Sequence, residues 1–391
     1  MSNILIIITG SVAAYKALDL ILGLQQRGFN IEVIQTKASQ NFVKKLDVES
    51  LTNKSVYDNL WSDDELFSMH HINLTRKSDY VIVYPASADF INKAAAGFAE
   101  NLALATILAC DKKVMFMPAM NKKMYENPFT QENIQKLQKV GHIFLGPDSG
   151  MLACGEEGFG RLVESRAVLT KLDEIESLKE RLFNKKVLIT AGSTVKNIDP
   201  VRYISNYSSG KQGYEIAKSL ADLGAEVTFV YGNVDIKIDH EFAKSIQALT
   251  AKEMHKAVIE NAANTDIAVM AAAVCDYTPK EVFSHKIKKQ NQEEMVLTLV
   301  KNPDILFDLC NLDNRPAIVI GFAAETNNLI DNARKKLKSK NCDYIIANDV
   351  GSNDIFGSDK TKISLVSKTY VKDFDNLFKS EVAKFVFSEI L

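Results

Sequence analysis

The sequence predicts an α/β protein of two doubly wound, Rossmann-like three-layer domains. Three observations predict it. The strands read as short continuous apolar runs, such as residues 4–8 and 267–270, which suits parallel strands buried on both faces. A strand–glycine–helix alternation starts near residue 4 and starts afresh at residue 186. Finally, 391 residues are too many for one ordinary core and divide into two of close to 190 each. The expected domains are 1–180 and 185–391, connected through 164–184, a charged stretch of helical pattern without Gly or Pro.

Taken in order, residues 4–8 form the first strand and 12–27 carry apolar residues at helical spacing, with Gly28 ending that helix before a strand at 31–35. Residues 80–84 and 113–117 are strands stopped by Pro85 and Pro118. A helix over 122–139 and a strand over 142–145 follow. In the second half the strands are 186–190, 226–231, 267–270, 317–320 and 343–347, with helices between. A hairpin of 360–365 and 369–373 precedes a closing helix over 374–391. The loops after equivalent strands differ, so the halves are not sequence repeats.

A hydrophobic share of 46% and a charged share of 25% are those of a globular protein. The 47 Lys and Arg nearly balance the 49 Asp and Glu, so no overall field recruits nucleic acid or an anionic membrane. The apolar run at the N-terminus is too short for a secretory signal, and the longest such run, 267–275, is too short to span a bilayer. Five cysteines, an odd number without a Cys-x-x-Cys pair, argue against a disulfide framework or structural zinc. The expected setting is reduced and cytoplasmic.

Residues 186–213 (KVLITAGSTVKNIDPVRYISNYSSGKQG) begin like the first strand of a nucleotide-binding fold and then depart from it. A Rossmann turn enters its helix within about six residues of the first glycine. Here a long polar loop holding Asp199, Arg202 and Asn206 separates Gly192 from Ser208-Ser209-Gly210. Such a loop suits a large, multiply charged ligand. In the first half, Thr9-Gly10-Ser11 before Val12 sets a glycine and a hydroxyl at a helix start, where backbone N–H groups favour phosphate. The same pattern also serves turn geometry alone, and Ser87 in Tyr84-Pro85-Ala86-Ser87-Ala88-Asp89 also reads as a simple cap.

Further motifs complete the set: His70-His71-Ile72-Asn73-Leu74, Pro118-Ala119-Met120-Asn121-Lys122-Lys123-Met124, and the glycine-rich GMLACGEEGFGR at 150–161. In the second half stand Met270-Ala271-Ala272-Ala273-Val274-Cys275-Asp276, His285-Lys286-Ile287-Lys288-Lys289, Lys301-Asn302-Pro303-Asp304-Ile305-Leu306 and Gly321-Phe322-Ala323-Ala324-Glu325. With these in register over essentially its whole length, the chain resembles the bacterial bifunctional phosphopantothenoylcysteine decarboxylase/phosphopantothenate–cysteine ligases of coenzyme A biosynthesis.

For the first half, the resemblance implies a flavin mononucleotide (FMN) site at Gly10, Ser11, Val12, Ser87 and Asp89. It also implies Asn121 as the clamp on the substrate carboxylate, His71 assisting oxidation and decarboxylation, and Cys154 giving the last proton. Loss of CO₂ from a C-terminal cysteine leaves a carbanion with nothing to delocalise it. Oxidation of the thiol to a thioaldehyde by flavin creates the missing electron sink, after which the enethiol is reduced and protonated. For the second half it implies ligation of cysteine to 4′-phosphopantothenate through an acyl nucleotidylate, with CTP as the expected nucleotide, ATP as the other choice, and Mg²⁺ or another divalent cation. Nucleotide contacts fall on Met270, Ala271, Ala272, Asp276, Lys286, Pro303, Asp304, Ile305, Leu306, Phe322, Lys336 and Lys340. Arg202 and Asn206 are the substrate residues, Asn206 acting on the acyl nucleotidylate, and the metal ligands are not read from sequence.

Read from the residues alone, Lys286–Lys289 is equally a solvated surface cluster. Asn302 and Pro303 also fit a helix cap and first position, while Lys336 and Lys340, four apart, suit phosphate or a surface ion pair. The family further implies a homo-oligomer, trimeric through flavin domains and dimeric through ligase domains. A non-catalytic flavin-binding regulatory subunit is the alternative, against which Asn121 and Cys154 both stand. No Walker loop and no Gly-x-Gly-x-x-Gly turn supports a P-loop enzyme or a nicotinamide reductase.

Overall fold

The computed structural model describes residues 2–61, 69–152, 155–288, 294–325, 327–349 and 359–391. The chain divides into two compact units, Met1–Ile175 and Glu176–Leu391. In the first, β1 (Asn3–Ile8) pairs in parallel with both β2 (Asn30–Gln35) and β3 (Tyr80–Ala86). Strands β4 (Val114–Pro118) and β5 (Ile143–Phe144) continue the sheet, giving the order β2-β1-β3-β4-β5. Residues 4–8 are fully buried, as their unbroken apolar run requires of a strand covered on both faces. Each such side chain contributes roughly 1.5–3 kcal/mol through burial. The strand order reverses between β1 and β3, and ligands of such sheets bind at the carboxyl ends of strands flanking that reversal.

Two helices differ from the sequence reading. The helix expected over 12–27 opens as a 3₁₀ turn, Val12–Lys16, before Ala17–Gln26. The helix expected over 122–139 is two, Lys122–Tyr125 and Pro128–Lys139. Pro128 lacks an N–H and takes the first position of the second helix, while Asn127 caps it by accepting from the Phe129 N–H at 3.0 Å. Beyond β5 the glycine-rich segment folds as an antiparallel hairpin of β6 (Asp148–Met151) and β7 (Glu157–Arg161).

In the second unit, β8 (Lys186–Ala191) leads into a small hairpin, β9 (Val195–Asp199) with β10 (Arg202–Ser205). Strands β11 (Glu226–Tyr231), β12 (Lys244–Gln247) and β13 (Ile267–Met270) follow, then a second small hairpin of β14 (Tyr277–Pro279) and β15 (Leu299–Lys301). Strands β16 (Ile318–Glu325), β17 (Tyr344–Asp349), β18 (Lys360–Val366) and β19 (Val371–Phe378) complete the large sheet, ordered β12-β11-β8-β13-β16-β17-β18-β19. The first six strands run parallel, β18 is antiparallel to β17, and β19 is antiparallel to β18. Because β19 stays paired out to Phe378 opposite Lys360, the closing helix is Val382–Ile390 and not 374–391. Both units are therefore doubly wound α/β domains, as the continuous strands predict. Among the described residues no helix is long and apolar enough to cross a membrane.

Gly232, just beyond β11, shows how tightly strand ends meet in the second unit. A Cβ there would lie 2.2 Å from the Ser193 carbonyl oxygen. That backbone is pinned by two bonds, Ser193 N–H to the Asn233 carbonyl at 2.9 Å and Asn233 N–H to the Ser193 carbonyl at 2.8 Å. Gly232→Ala is expected to cost roughly 1–3 kcal/mol. At Gly321 the obstacles are side-chain ends, Leu306 Cδ2 and Ile345 Cδ1, so Gly321→Ala should cost less. Urea unfolding midpoints followed by far-ultraviolet circular dichroism give the order; equal losses would remove the distinction.

Candidate functional site

At the carboxyl end of the first sheet, loops from three strands are stitched together. The buried Thr9 hydroxyl donates to the Pro85 carbonyl at 2.7 Å and accepts from the Ser87 N–H at 2.9 Å. The Ala119 N–H donates to the Ala86 carbonyl at 3.0 Å, and the Met120 N–H to the Gly160 carbonyl at 3.0 Å. Gly10 sits where a Cβ would lie 2.5 Å from Ala38 Cβ, and Gly160 where one would lie 2.2 Å from the Met120 carbonyl oxygen. Only glycine allows these approaches.

These ties gather Ser11, Val12 and Asn121 around one cavity of about 440 Å³, with Met120, Met151, Leu152 and Arg161. Ser11 caps the following turn, its hydroxyl accepting from the Ala13 N–H at 3.3 Å. Asn121 Oδ1 accepts from the Lys123 N–H at 2.8 Å, and its Nδ2 donates to Glu156 at 2.9 Å. Gly10, Ser87, Asp89 and His71 do not line this cavity. Ser87 caps Ala88–Ala95, Asp89 pairs with Lys93 at 3.1 Å on the surface, and His71 lies in the first turn of the helix His70–Lys77. Cys154 lies outside the described residues.

Sequence reasoning missed a charged bridge beside the cavity. Glu164 accepts from Lys16 at 2.8 Å and from Arg161 at 2.7 Å, and both cations line the cavity. Those two hydrogen bonds hold its carboxyl below the usual range. Tyr84 is fully buried and donates to the Val163 carbonyl at 2.8 Å; burial pushes its phenol far up, so it stays protonated. An acidic residue just after a glycine flap was the available signal for Glu164, and its two cations are far apart in sequence.

The second unit repeats the stitching. Thr190 accepts from the Ala271 N–H through its carbonyl and from the Ala272 N–H through its hydroxyl, both at 3.2 Å. The Thr194 hydroxyl accepts from the Cys275 N–H at 3.1 Å, and Asn206 Nδ2 donates to the Val274 carbonyl at 3.2 Å. Asn302 donates its N–H to the Asp276 carbonyl and its side chain to the Cys275 carbonyl, both at 2.8 Å. It is therefore not the helix cap: Asp304 caps Ile305–Cys310 by accepting from the Phe307 N–H at 3.1 Å, and Pro303 precedes the helix. Asp304 also pairs with Lys340. Ile305, Leu306 and Met270 are buried in the core. Lys336 donates to the Phe322 carbonyl at 2.6 Å. Burial pushes its ammonium down, and nearby Lys340 adds to that, while Glu325 and Asp276 oppose it.

Lys286 is exposed, but its neighbour is anchored. The buried Asp199 carboxylate accepts from the N–H groups of Val201, Arg202 and Ile287 at 2.8, 2.9 and 3.1 Å and from the Arg202 guanidinium at 2.9 Å. Arg202 also donates to the Ile287 carbonyl at 3.2 Å. Burial raises the Asp199 value, but these donors outweigh it and leave the carboxyl below its usual range. Arg202 and the Lys286 segment, over eighty positions apart, are thus brought together, and the Asp-Pro dipeptide was the only local sign of their anchor.

Comparison with known proteins agrees with this division. Residues 1–177 match the family described as Flavoprotein, and 182–391 the family described as DNA/pantothenate metabolism flavoprotein C-terminal domain. The coenzyme A biosynthesis bifunctional protein CoaBC of Haemophilus influenzae is 39% identical over 389 residues, covering 100% of this chain and 97% of that protein. That of Bacillus subtilis is 37% identical over 392 residues, covering 99% and 96%. A crystal structure of the C-terminal domain of a protein of that name is 37% identical, with a TM-score of 0.45, and covers 54% of this chain and 95% of its own.

Because the Asp199 carboxyl is held below its usual range, the stability it gives is full above that range and lost as pH falls through the lowered folded value. Asp199→Asn cannot accept equally from Ile287 and Arg202. Hydrogen exchange at the Ile287 amide should speed up roughly tenfold at neutral pH. In the parent chain it should stay slow until the pH drops below the ordinary carboxylate range. An unchanged rate in Asp199→Asn would detach the anchor from the loop.

Proposed function

Because this chain belongs to the bifunctional coenzyme A biosynthesis proteins, matched along both units, we propose that its ligase half is driven by CTP with Mg²⁺ or another divalent cation, and its decarboxylase half by FMN. The chain is a flavoprotein enzyme with two activities of that pathway, a phosphopantothenate–cysteine ligase and a phosphopantothenoylcysteine decarboxylase. The observation that carries the site reading is the convergence of Ser11, Val12 and Asn121, over a hundred positions apart, on one cavity.

The lining suits FMN. Ser11 and the turn Val12–Lys16 offer a phosphate a hydroxyl and a helix start, and Val12, Met120 and Leu162 offer apolar surface to a flat ring. Lys16 and Arg161 carry two positive charges against the one negative charge of Glu164, leaving the cavity wall cationic. FMN supplies the oxidation of the substrate thiol that opens an electron sink for the departing CO₂, and returns the electrons afterwards. Asn121 Nδ2 exchanges Glu156 for the substrate carboxylate while Oδ1 stays on the Lys123 amide, which fixes the side chain's direction. His71 assists the oxidation and decarboxylation stage, and Cys154 delivers the final proton.

In the ligase half a phosphopantothenate carboxylate oxygen bonds to the α-phosphorus of CTP, and pyrophosphate leaves. The cysteine amine then bonds to the acyl carbon, and CMP leaves. Lys286 neutralises developing phosphate charge, with its segment held by Asp199, and Arg202 faces the same substrate. Asn206 acts on the acyl nucleotidylate. Phe322 packs against the base, and Lys336 and Lys340 serve the phosphates. Among the described residues no three His, Cys, Asp or Glu side chains cluster to hold a metal, so a divalent ion would be held chiefly through the nucleotide's phosphates, where it would offset their charge.

Exposed apolar side chains on the two small hairpins support dimers of the ligase unit: Val201, Tyr277, and in adjoining segments Tyr207 at 89% and Val296 at 87% exposure. The family's trimer of flavin units is the companion proposal. Cys110, Cys275, Cys310 and Cys342 are free thiols, which suits a reduced, cytoplasmic setting.

Pyrophosphate release and CO₂ evolution by the purified chain, supplied with phosphopantothenate, cysteine, Mg²⁺ and either CTP or ATP, test the reading. CTP is expected to support the faster ligation, and equal rates with ATP would overturn that choice. Lys286→Gln should suppress pyrophosphate release roughly 100-fold, whereas Asn206→Asp should spare part of it and impair amide formation. Equal loss of both signals in both variants would dissolve these roles. Cys154→Ser should still evolve CO₂ but accumulate the unreduced enethiol; full turnover would return Cys154 to an ordinary flap residue.

A further inference from the structure

The ligase unit also holds a basic cavity lined by none of the residues assigned above to CTP or phosphopantothenate. It encloses about 200 Å³ where the start of β9, the first turn of the helix Ala251–Ala262 and the β14–β15 hairpin meet. Four lysines line it, Lys196, Lys252, Lys280 and Lys301, and among the described residues no carboxylate does. None of the four has a carboxylate partner among the described residues. Elsewhere in this unit lysines are commonly matched: Lys211 with Asp359, Lys340 with Asp304, Lys362 with Asp375 and Lys372 with Glu389. Glu253 lines the adjoining cavity, and its carboxylate is engaged by the Thr250 N–H at 2.9 Å.

Four like charges around a small concavity repel one another and focus a positive field into it. In a chain of net charge -2 this is a local feature, not a consequence of an overall basic surface. The capping box of Thr250 and Glu253 occupies two of the four free N–H groups at the helix end. The field is built of side chains. Lysine ammoniums on flexible stems act as adjustable point charges, which suits a compact, several-fold charged anion better than a planar carboxylate.

We propose that this cavity binds a diphosphate group, separately from the nucleotide site at the ends of β13 and β16. The diphosphate is either free pyrophosphate or part of a nucleotide. The ligase reading makes pyrophosphate a product, and so supplies one source; the site itself does not rest on that reading.

The test is calorimetric titration of the purified full chain with inorganic pyrophosphate and, separately, with CDP. The chains compared are the parent, Lys252→Gln/Lys280→Gln, and Lys286→Gln as the nucleotide-site control. Both replaced lysines are exposed, and unchanged flavin content and melting temperature confirm the fold. The double variant should weaken pyrophosphate binding about tenfold or more, and Lys286→Gln should leave it within about twofold. Raising salt from about 50 to about 200 mM should weaken it in the parent. CDP losing affinity in parallel with pyrophosphate identifies a nucleotide-borne diphosphate; loss confined to pyrophosphate identifies the free anion. Pyrophosphate binding that ignores the double variant, or that disappears in Lys286→Gln alone, overturns the proposal whether or not ligase activity is found. Should the double variant misfold, Lys280→Gln alone is read the same way, with about threefold weakening expected and no change overturning the proposal.

Discussion

Both sites hang from a buried threonine at the end of a central strand. Thr9 follows β1 and bonds to Pro85 and Ser87; Thr190 lies in β8 and bonds to Ala271 and Ala272. Each hydroxyl reaches the loop leaving the next strand across the sheet, β3 in one unit and β13 in the other. A parallel sheet needs such ties. Its strands end in unpaired backbone groups, and a buried N–H left without an acceptor costs roughly 1–3 kcal/mol. Thr9 and Thr190 are each about 1% exposed, so water does not substitute. The hydroxyls therefore fix where the loops after these strands begin, and the side chains proposed above for function inherit that position.

From there the two units use different devices to extend the reach of their loops. In the first, glycine removes side chains where chain segments touch: Gly160 lets β7 lie against Met120, whose amide then fixes the start of the Asn121 turn. In the second, a buried carboxylate does the work. Asp199 collects three amides and a guanidinium, and so joins a polar loop after β9 to a segment more than eighty residues later. A glycine contact is rigid and independent of pH, whereas the carboxylate hub holds only while ionised. Its lowered titration keeps it ionised throughout the neutral range.

The principal strands were legible because both of their faces are buried, so the residues show unbroken apolar runs at 4–8 and 267–270, whereas no such run states the order of strands in the sheet. The short hairpins β9–β10 and β14–β15 were not, since strands of three to five residues with exposed faces carry no such signal. The helix cap before Ile305 was misplaced by two residues because Asn302 and Asp304 are both good caps; tertiary bonds from Asn302 to Asp276 and Cys275 decide between them. The motif residues of the cavity were legible as motifs. The bridge from Glu164 to Lys16 was not, because nothing in local sequence states that a cation 148 positions away meets the acid that Arg161, three residues before it, already pairs with.

Charge placement separates the neighbourhoods further. Around the first cavity each cation is shared with Glu164, so the wall is held in a defined geometry with one charge in excess. Near Phe322, Lys336 is tied to a carbonyl and not to a carboxylate. Its charge is uncompensated by contact and disfavoured by burial, so an incoming phosphate would gain more from it than from a lysine already in an ion pair. Lys340, by contrast, must leave Asp304 to serve a phosphate, and that exchange opposes part of the gain. The two lysines share a helix face yet differ in their partners, Lys336 resting on a carbonyl and Lys340 on a carboxylate, so the proposed phosphate contact asks less of Lys336.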